Sequence, residues 1–348
     1  MAAIAVVGAG MMGSAMCVPL ADRGHDVHLV GTPLDESIIV ALRESGRHPG
    51  LGVALPGVHF HSVSGLARAL EGADAIVLGV SSAGVSWAAA ELAPLLGARA
   101  GLPVLMLTKG LEHDAGGVRV LSDSFAQRVA HAAPGCSPAV VCGPCIAGEL
   151  ARRVPTMVVL TGRELNVARV FADWLACDYY HPRLSRDVVG AQVCAAVKNA
   201  YAMGVAFAAG LHERRGGGSG SVAMHNYEAA VFARAIVEMG SLVAALGGAP
   251  ESAWGLAGSG DLTVTCNGGR TGRFGALLGR GLGVPEARDV MRGATLECLE
   301  VLAVLEQALA AGALGRLQRA DLPLLAHLFD VALHGAAVDM PWAELFRA

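Results

Sequence analysis

The sequence predicts an α/β N-terminal part built on a doubly wound parallel sheet, followed by an all-α C-terminal part. Three observations carry this. The chain opens with AIAVVGAGMMG, an apolar run broken by glycines at 8, 10 and 13. Further short apolar runs of strand length recur up to about residue 160, separated by stretches long enough for helices. From about Asp187 the strand-like runs stop and Ala-rich segments of helical period continue to the end. A length of 348 residues is enough for two separate cores. The expected division is therefore 1–186 and 187–348.

Within the first thirty residues the order is apolar run, glycine turn, helical stretch and second strand (HLVG). That order is the dinucleotide-binding context of a Rossmann-type sheet. Gly8 supplies the tight turn, Gly10 lets backbone approach a pyrophosphate, and Gly13 lets the helix pack on its strand, with Met12 of the same turn expected to contact the cofactor. Asp35 lies just beyond the second strand, where a carboxylate bonds the ribose 2′-OH of NAD and repels the extra phosphate of NADP. Pro33 and Leu34 disturb the register, so Asp35 could equally cap a helix starting near Glu36. NAD is the expected cofactor, with NADP the alternative. Further strands are expected at Ala75–Val80, Val104–Thr108, Ala139–Cys142 and Thr156–Leu160. ERRGGGSGS, at 213–221, has the composition of a mobile loop.

Charge and cysteine content narrow the function. The chain carries 26 basic and 30 acidic residues, a net −4, with no basic run longer than Arg152-Arg153 or Arg214-Arg215. This argues against a nucleic-acid or membrane-surface partner and for a small molecule. The amino terminus lacks the positive segment of a signal peptide, and Gln192, Lys198 and Asn199 interrupt the apolar stretch Val188–Gly210, so a cytoplasmic protein is expected. Eight scattered cysteines read as reduced thiols, and no second Cys pair accompanies Cys142 and Cys145, so no metal centre is expected. Only two lysines, Lys109 and Lys198, stand against 24 arginines. A chain that writes nearly every cation as Arg has kept an amine, which can lose a proton, at two places.

One motif points two ways. CGPC at 142–145 is the thioredoxin active-site tetrapeptide, yet Val141 precedes it instead of a Trp, and a complete dinucleotide-binding half lies upstream. The following VPT comes too soon after Cys145 for the intervening elements of a thioredoxin fold. The reading favoured is a strand that ends in a Gly-Pro turn and feeds a helix, at the carboxyl edge of the sheet where substrates meet cofactors.

Five ordered motifs resemble those of the NAD(P)-dependent glycerol-3-phosphate dehydrogenase family over nearly the whole chain: Gly8–Gly13 (GAGMMG), Thr108–Glu112 (TKGLE), Cys142–Glu149 (CGPCIAGE), Val197–Gly204 (VKNAYAMG) and Gly260–Cys266 (GDLTVTC). Both lysines fall within them. The resemblance implies a Rossmann domain, a helical C-terminal domain, and a cleft where dihydroxyacetone phosphate and sn-glycerol 3-phosphate interconvert. It also implies a homodimer. Carried onto this chain, Lys198 would be the general acid/base and Lys109 would orient substrate and cofactor. Asp261 and Thr265 would hold the reacting hydroxyl. Gly143, Cys145 and Thr271 would lie at the substrate, Arg270 would face its phosphate and the cofactor, and Glu297 and Ala147 would contact the cofactor.

The residues support part of this independently. Lys198 sits in VCAAVKNAYAMG, apolar on nearly every face, where a lysine is costly unless paired or functional, and Asp261 is the expected partner. A purely structural ion pair is the competing reading. Two departures bear on the substrate end. Cys145 stands where the family has Ser, Thr or Asn, and Thr271 stands where it has Asn; the loop after Leu211 also looks longer. The alternatives compatible with them are a dehydrogenase of a bulkier sugar or nucleoside phosphate, or a redox-neutral NAD-dependent epimerase.

Overall fold

The computed structural model describes residues 1–218 and 224–347, so part of the loop predicted at 213–221 lies outside the described residues. The chain forms two compact units, Met1–Lys109 with Val120–Val188, and Gly110–Arg119 with Val189–Ala348. In chain order the strands are β1 (Ala3–Val7), β2 (Asp26–Val30), β3 (Val58–His61), β4 (Ala75–Leu78), β5 (Val104–Met106), β6 (Leu111–Asp114), β7 (Gly117–Val120), β8 (Ala139–Cys142), β9 (Thr156–Gly162) and β10 (Tyr180–Ser185).

Eight of them make one sheet in the order β10-β9-β8-β5-β4-β1-β2-β3, while β6 and β7 pair with each other. The block β3-β2-β1-β4-β5-β8 is parallel throughout. This is the Rossmann-type order, with the sheet reversing direction from β1. β9 joins antiparallel to β8 and β10 runs parallel to β9, so the last two strands depart from the all-parallel sheet expected. AIVL and AVVC, the sequences of β4 and β8, are buried at every position, as a sheet covered on both faces requires. The helices of this unit are α1 (Met11–Asp22), α2 (Glu36–Ser45), α3 (Leu66–Leu70), α4 (Val85–Ala98), α5 (Leu121–Val129), α6 (Ala147–Leu150) and α7 (Leu165–Leu175).

Four strands went unread in the sequence. β3 and β10 are the two edges of the sheet, and their sequences VHFH and YHPRLS carry the polar, partly exposed residues of an edge. LEHD and GVRV of the β6–β7 hairpin are likewise half-exposed. Residues 110–119, which the division at 186/187 assigned to the first domain, group with the second unit. The hairpin has no partner strand in the large sheet, and β6 packs against α13 (Glu297–Ala310).

The remaining helices of the second unit are α8 (Val188–Arg214), α9 (His225–Ala245), α10 (Asp261–Cys266), α11 (Gly269–Arg280), α12 (Val284–Met291), α14 (Pro323–Ala332) and α15 (Trp342–Leu345). α8 is 27 residues long and apolar, yet its most apolar window is 89% buried, the mark of a core helix. It meets α11 backbone to backbone. A Cβ on Gly210 would come within 2.0 Å of the Ala276 carbonyl oxygen, and one on Gly275 within 2.4 Å of that of Met203. Buried Glu238 of α9 has a structural role. Its carboxylate accepts from Arg234 and from the first amides of α14, Leu324 and Leu325, all at 2.8 Å, replacing the water those groups lose.

Candidate active site

In the first unit the glycine turn joins β1 to α1. Gly8 has φ +110°, and a Cβ there would press on the Gly79 backbone at 2.7 Å. A Cβ on Gly13 would come within 2.0 Å of the Gly8 carbonyl oxygen, so α1 can pack this closely only without one. Beside Gly10, by contrast, space is open, and no side chain caps the helix that starts at Met11. An uncapped helix start with room beside its glycine suits a pyrophosphate. Met12, in the first turn of α1, packs against the core of this unit.

The intervening Ala9 is held at both ends. Its amide donates to Asp35 Oδ2 at 3.0 Å, and its carbonyl accepts from Ser14 Oγ and from His48 Nε2, each at 3.0 Å. His48 Nδ1 accepts from the Gly50 and Leu51 amides, which places the ring proton on Nε2. This buried histidine gave no motif in the sequence; only its contacts reveal its task. Asp35 is the residue that precedes α2, but its side chain does not cap that helix. It turns back to the glycine turn, where Oδ2 also accepts from the Thr32 amide and hydroxyl at 2.9 and 2.8 Å. Asp35 thus holds the N-cap position of α2 expected from the sequence, but its side chain makes no capping bond.

At the carboxyl ends of β5 and β8, neighbours in the sheet, Lys109 meets the CGPC turn: its Nζ donates to the Gly143 carbonyl at 3.4 Å. Gly143 has φ +102°, which a glycine tolerates and a side chain resists. Cys142 is fully buried at the end of its strand, Cys145 is half-buried, and all eight cysteines are thiols. CGPC is thus a strand-ending turn ahead of α6, whose first residue, Ala147, packs on the same core.

The second unit holds the other group of residues. Lys198, 8% exposed on α8, forms an ion pair with Asp261, 1% exposed, at the start of α10. A wide π-type turn, Leu256–Gly260, delivers Asp261; a Cβ on its Gly258 would lie 2.1 Å from the Ala253 carbonyl oxygen. Thr265 donates to the Asp261 main-chain carbonyl at 2.7 Å, one helical turn back, so it braces the aspartate's backbone and keeps its hydroxyl lone pairs as acceptors. Next to Lys198, Asn199 Nδ2 donates to Glu297 Oε2 at 2.8 Å. Asn199 adjoins the lysine, and the sequence reading gave it no role. Arg270, 58% exposed in its side chain, stands 3.9 Å from the other Glu297 oxygen, a loose contact that leaves its guanidinium available. Thr271 follows it but is buried in α11.

Comparison with known proteins identifies the family. Residues 3–168 match the family description NAD-dependent glycerol-3-phosphate dehydrogenase N-terminus, and residues 187–342 match the corresponding C-terminus. An NADP(+)-dependent glycerol-3-phosphate dehydrogenase of Archaeoglobus fulgidus is 33% identical over 98% of both chains. A glycerol-3-phosphate dehydrogenase [NAD(P)+] of Klebsiella pneumoniae is 35% identical over 83% of this chain and 80% of its own. Among solved structures, glycerol-3-phosphate dehydrogenase from Coxiella burnetii superimposes with a TM-score of 0.79 at 26% identity, covering 98% and 97% of the two chains. This chain accordingly belongs to the NAD(P)-dependent glycerol-3-phosphate dehydrogenase family of oxidoreductases.

Proposed function

We propose that the chain interconverts dihydroxyacetone phosphate and sn-glycerol 3-phosphate, with the first unit binding the nicotinamide cofactor and Lys198 of the second acting as general acid/base. The observation that carries this reading is the buried Lys198–Asp261 pair on an otherwise apolar helix, in a chain that has kept only two lysines. The nicotinamide, when bound, supplies or accepts the hydride. As a ketone is reduced, negative charge grows on its oxygen; the Lys198 ammonium stabilises that charge and gives up a proton to it, worth about 10²- to 10⁴-fold in rate. In the reverse direction the neutral amine takes the hydroxyl proton. Asp261 holds Nζ in place as its counter-charge, and Thr265 accepts a hydrogen bond from the reacting hydroxyl. Arg270 offers parallel N–H donors to the substrate phosphate, and Lys109 orients substrate and cofactor beside Gly143 and Cys145.

Asp35 supports NAD as the preferred cofactor. Its three hydrogen bonds all fall on Oδ2, which leaves Oδ1 to bond a ribose hydroxyl and its charge to repel a 2′-phosphate. We propose a homodimer as well, a state supported by the exposed Val237, Trp342 and Phe346 of the second unit and tested by light scattering.

The activity is tested with purified protein and a panel of phosphorylated and unphosphorylated ketones and polyols, followed by reduced-nicotinamide absorbance. Dihydroxyacetone phosphate should turn over and dihydroxyacetone should not. Equal rates with both would remove Arg270 from its role. Co-purified NAD with no net turnover would favour the epimerase.

A further inference from the structure

Away from the glycine turn, four titratable side chains gather on the β2–β3 edge of the sheet. Asp26 and His28 alternate along β2, and His59 and His61 alternate along β3, so each pair shares one face of its strand. The parallel register sets His28 directly beside His59, with their rings stacked 4.8 Å apart. Both rings turn Nε2 toward one carboxylate. His28 Nε2 lies 3.3 Å from Asp26 Oδ2, and His59 Nε2 lies 3.3 Å from Asp26 Oδ1. One ligand atom from each residue falls within 4.8 Å of the others. A tetrahedral ion with bonds of about 2.0–2.1 Å holds neighbouring donors about 3.3 Å apart. Asp26 begins β2, whereas the glycine turn follows the opposite, carboxyl ends of the strands, so the two places are distinct.

We propose that Asp26, His28 and His59 form a binding site for a divalent transition-metal ion of the zinc class, with His61 orienting His28. The orienting contact is the 2.9 Å bond between His28 Nδ1 and His61 Nε2. His61 shares a face of β3 with His59, and its ring stacks on that of His28 at 5.1 Å, so the contact sits beside the ligand cluster. With Nδ1 of His28 engaged by His61, Nε2 is the ring nitrogen that faces Asp26 and would take the metal, the arrangement by which a second ring orients a ligand. Asp26 and His59 are 44% and 62% exposed in their side chains, which leaves the remaining coordination positions to water. Bound metal would clip β3 to β2, the strand that leads into the Asp35 turn.

The test titrates metal-free full-length protein with Co²⁺, followed by displacement with Zn²⁺. One equivalent should bind with the weak visible bands of nitrogen and oxygen ligands, and Zn²⁺ should raise the melting temperature. Asp26→Asn, at a half-buried position, and His59→Asn, at an exposed one, should each weaken binding at least 10-fold while the metal-free melting temperature stays near wild type. His181→Asn on the opposite edge strand, β10, should bind as wild type does. Unchanged affinity in Asp26→Asn and His59→Asn, an intense thiolate-to-cobalt charge-transfer band, or the absence of saturable binding would each overturn the proposal.

Discussion

Replacing Lys198 separates catalysis from architecture, because its partner is nearly inaccessible: Asp261 is 1% exposed. Lys198→Met strands a buried carboxylate, which costs about 3–5 kcal/mol. In a unit of this size each kcal/mol moves the midpoint by roughly 2–4 °C, so the second unit should melt about 6–20 °C lower. Lys198→Arg retains the positive charge and most of that stability, but a guanidinium with a pKa above about 12 cannot exchange a proton near neutrality. Turnover should therefore fall on the order of 10²-fold or more while cofactor binding persists. The double variant Lys198→Met/Asp261→Asn removes both charges: it should regain at least half of the lost melting temperature and none of the lost turnover. The assays are steady-state reduction of dihydroxyacetone phosphate and calorimetric melting of all four proteins. Wild-type turnover in Lys198→Arg, or recovery of turnover in the double variant, would refute the acid/base role.

Arg270→Ala should raise the KM for phosphorylated substrate by about 10- to 150-fold, the loss of about 1.5–3 kcal/mol from a charge-assisted contact, and leave the melting temperature nearly unchanged because the side chain is 58% exposed. Gly210→Ala puts a methyl group 2.0 Å from the Ala276 carbonyl oxygen and should destabilise the protein by about 1–3 kcal/mol or more, read by denaturant midpoint. Cys142→Ser places a hydroxyl in a fully buried strand end and should lower stability, whereas half-buried Cys145→Ser should act mainly on substrate KM. The Asp22 carboxyl is held below its ordinary 3.8 by its hydrogen bond from Arg153, aided by Tyr179. Its contribution to stability is present above pH 3.8 and lost as pH falls through the lower folded-state value, so the melting-temperature gap between wild type and Asp22→Asn should close in that acid range.

What could be read from the sequence follows from where each signal is encoded. β1, β4 and β8 were legible because a strand buried on both faces is an unbroken apolar run. Edge strands β3 and β10 were not, since one exposed side lets His, Pro and Arg into the pattern. The pairing of Lys198 with Asp261 across 63 residues was foreseen from a lysine too costly to leave unpaired in an apolar helix, together with the family motif that implied Asp261 at the site. Asn199 and His48 were missed because an amide or a ring carries no signal until its acceptor is known. Asp35 carried two readings in the sequence, and only the direction of its side chain shows that it makes no capping bond. The histidines of β2 and β3 meet through a register that no local stretch of sequence encodes.

The glycine contact between α8 and α11 also bears on how this enzyme can diverge. Where Gly210 and Gly275 bring main chain against main chain, there is no side-chain volume for mutation to trade, so the crossing is a fixed inheritance that any descendant must keep. Lys198 rides on one of these helices and Arg270 on the other. Asn267 ahead of α11 and Cys145 in the turn beside Lys109 lie outside that constraint.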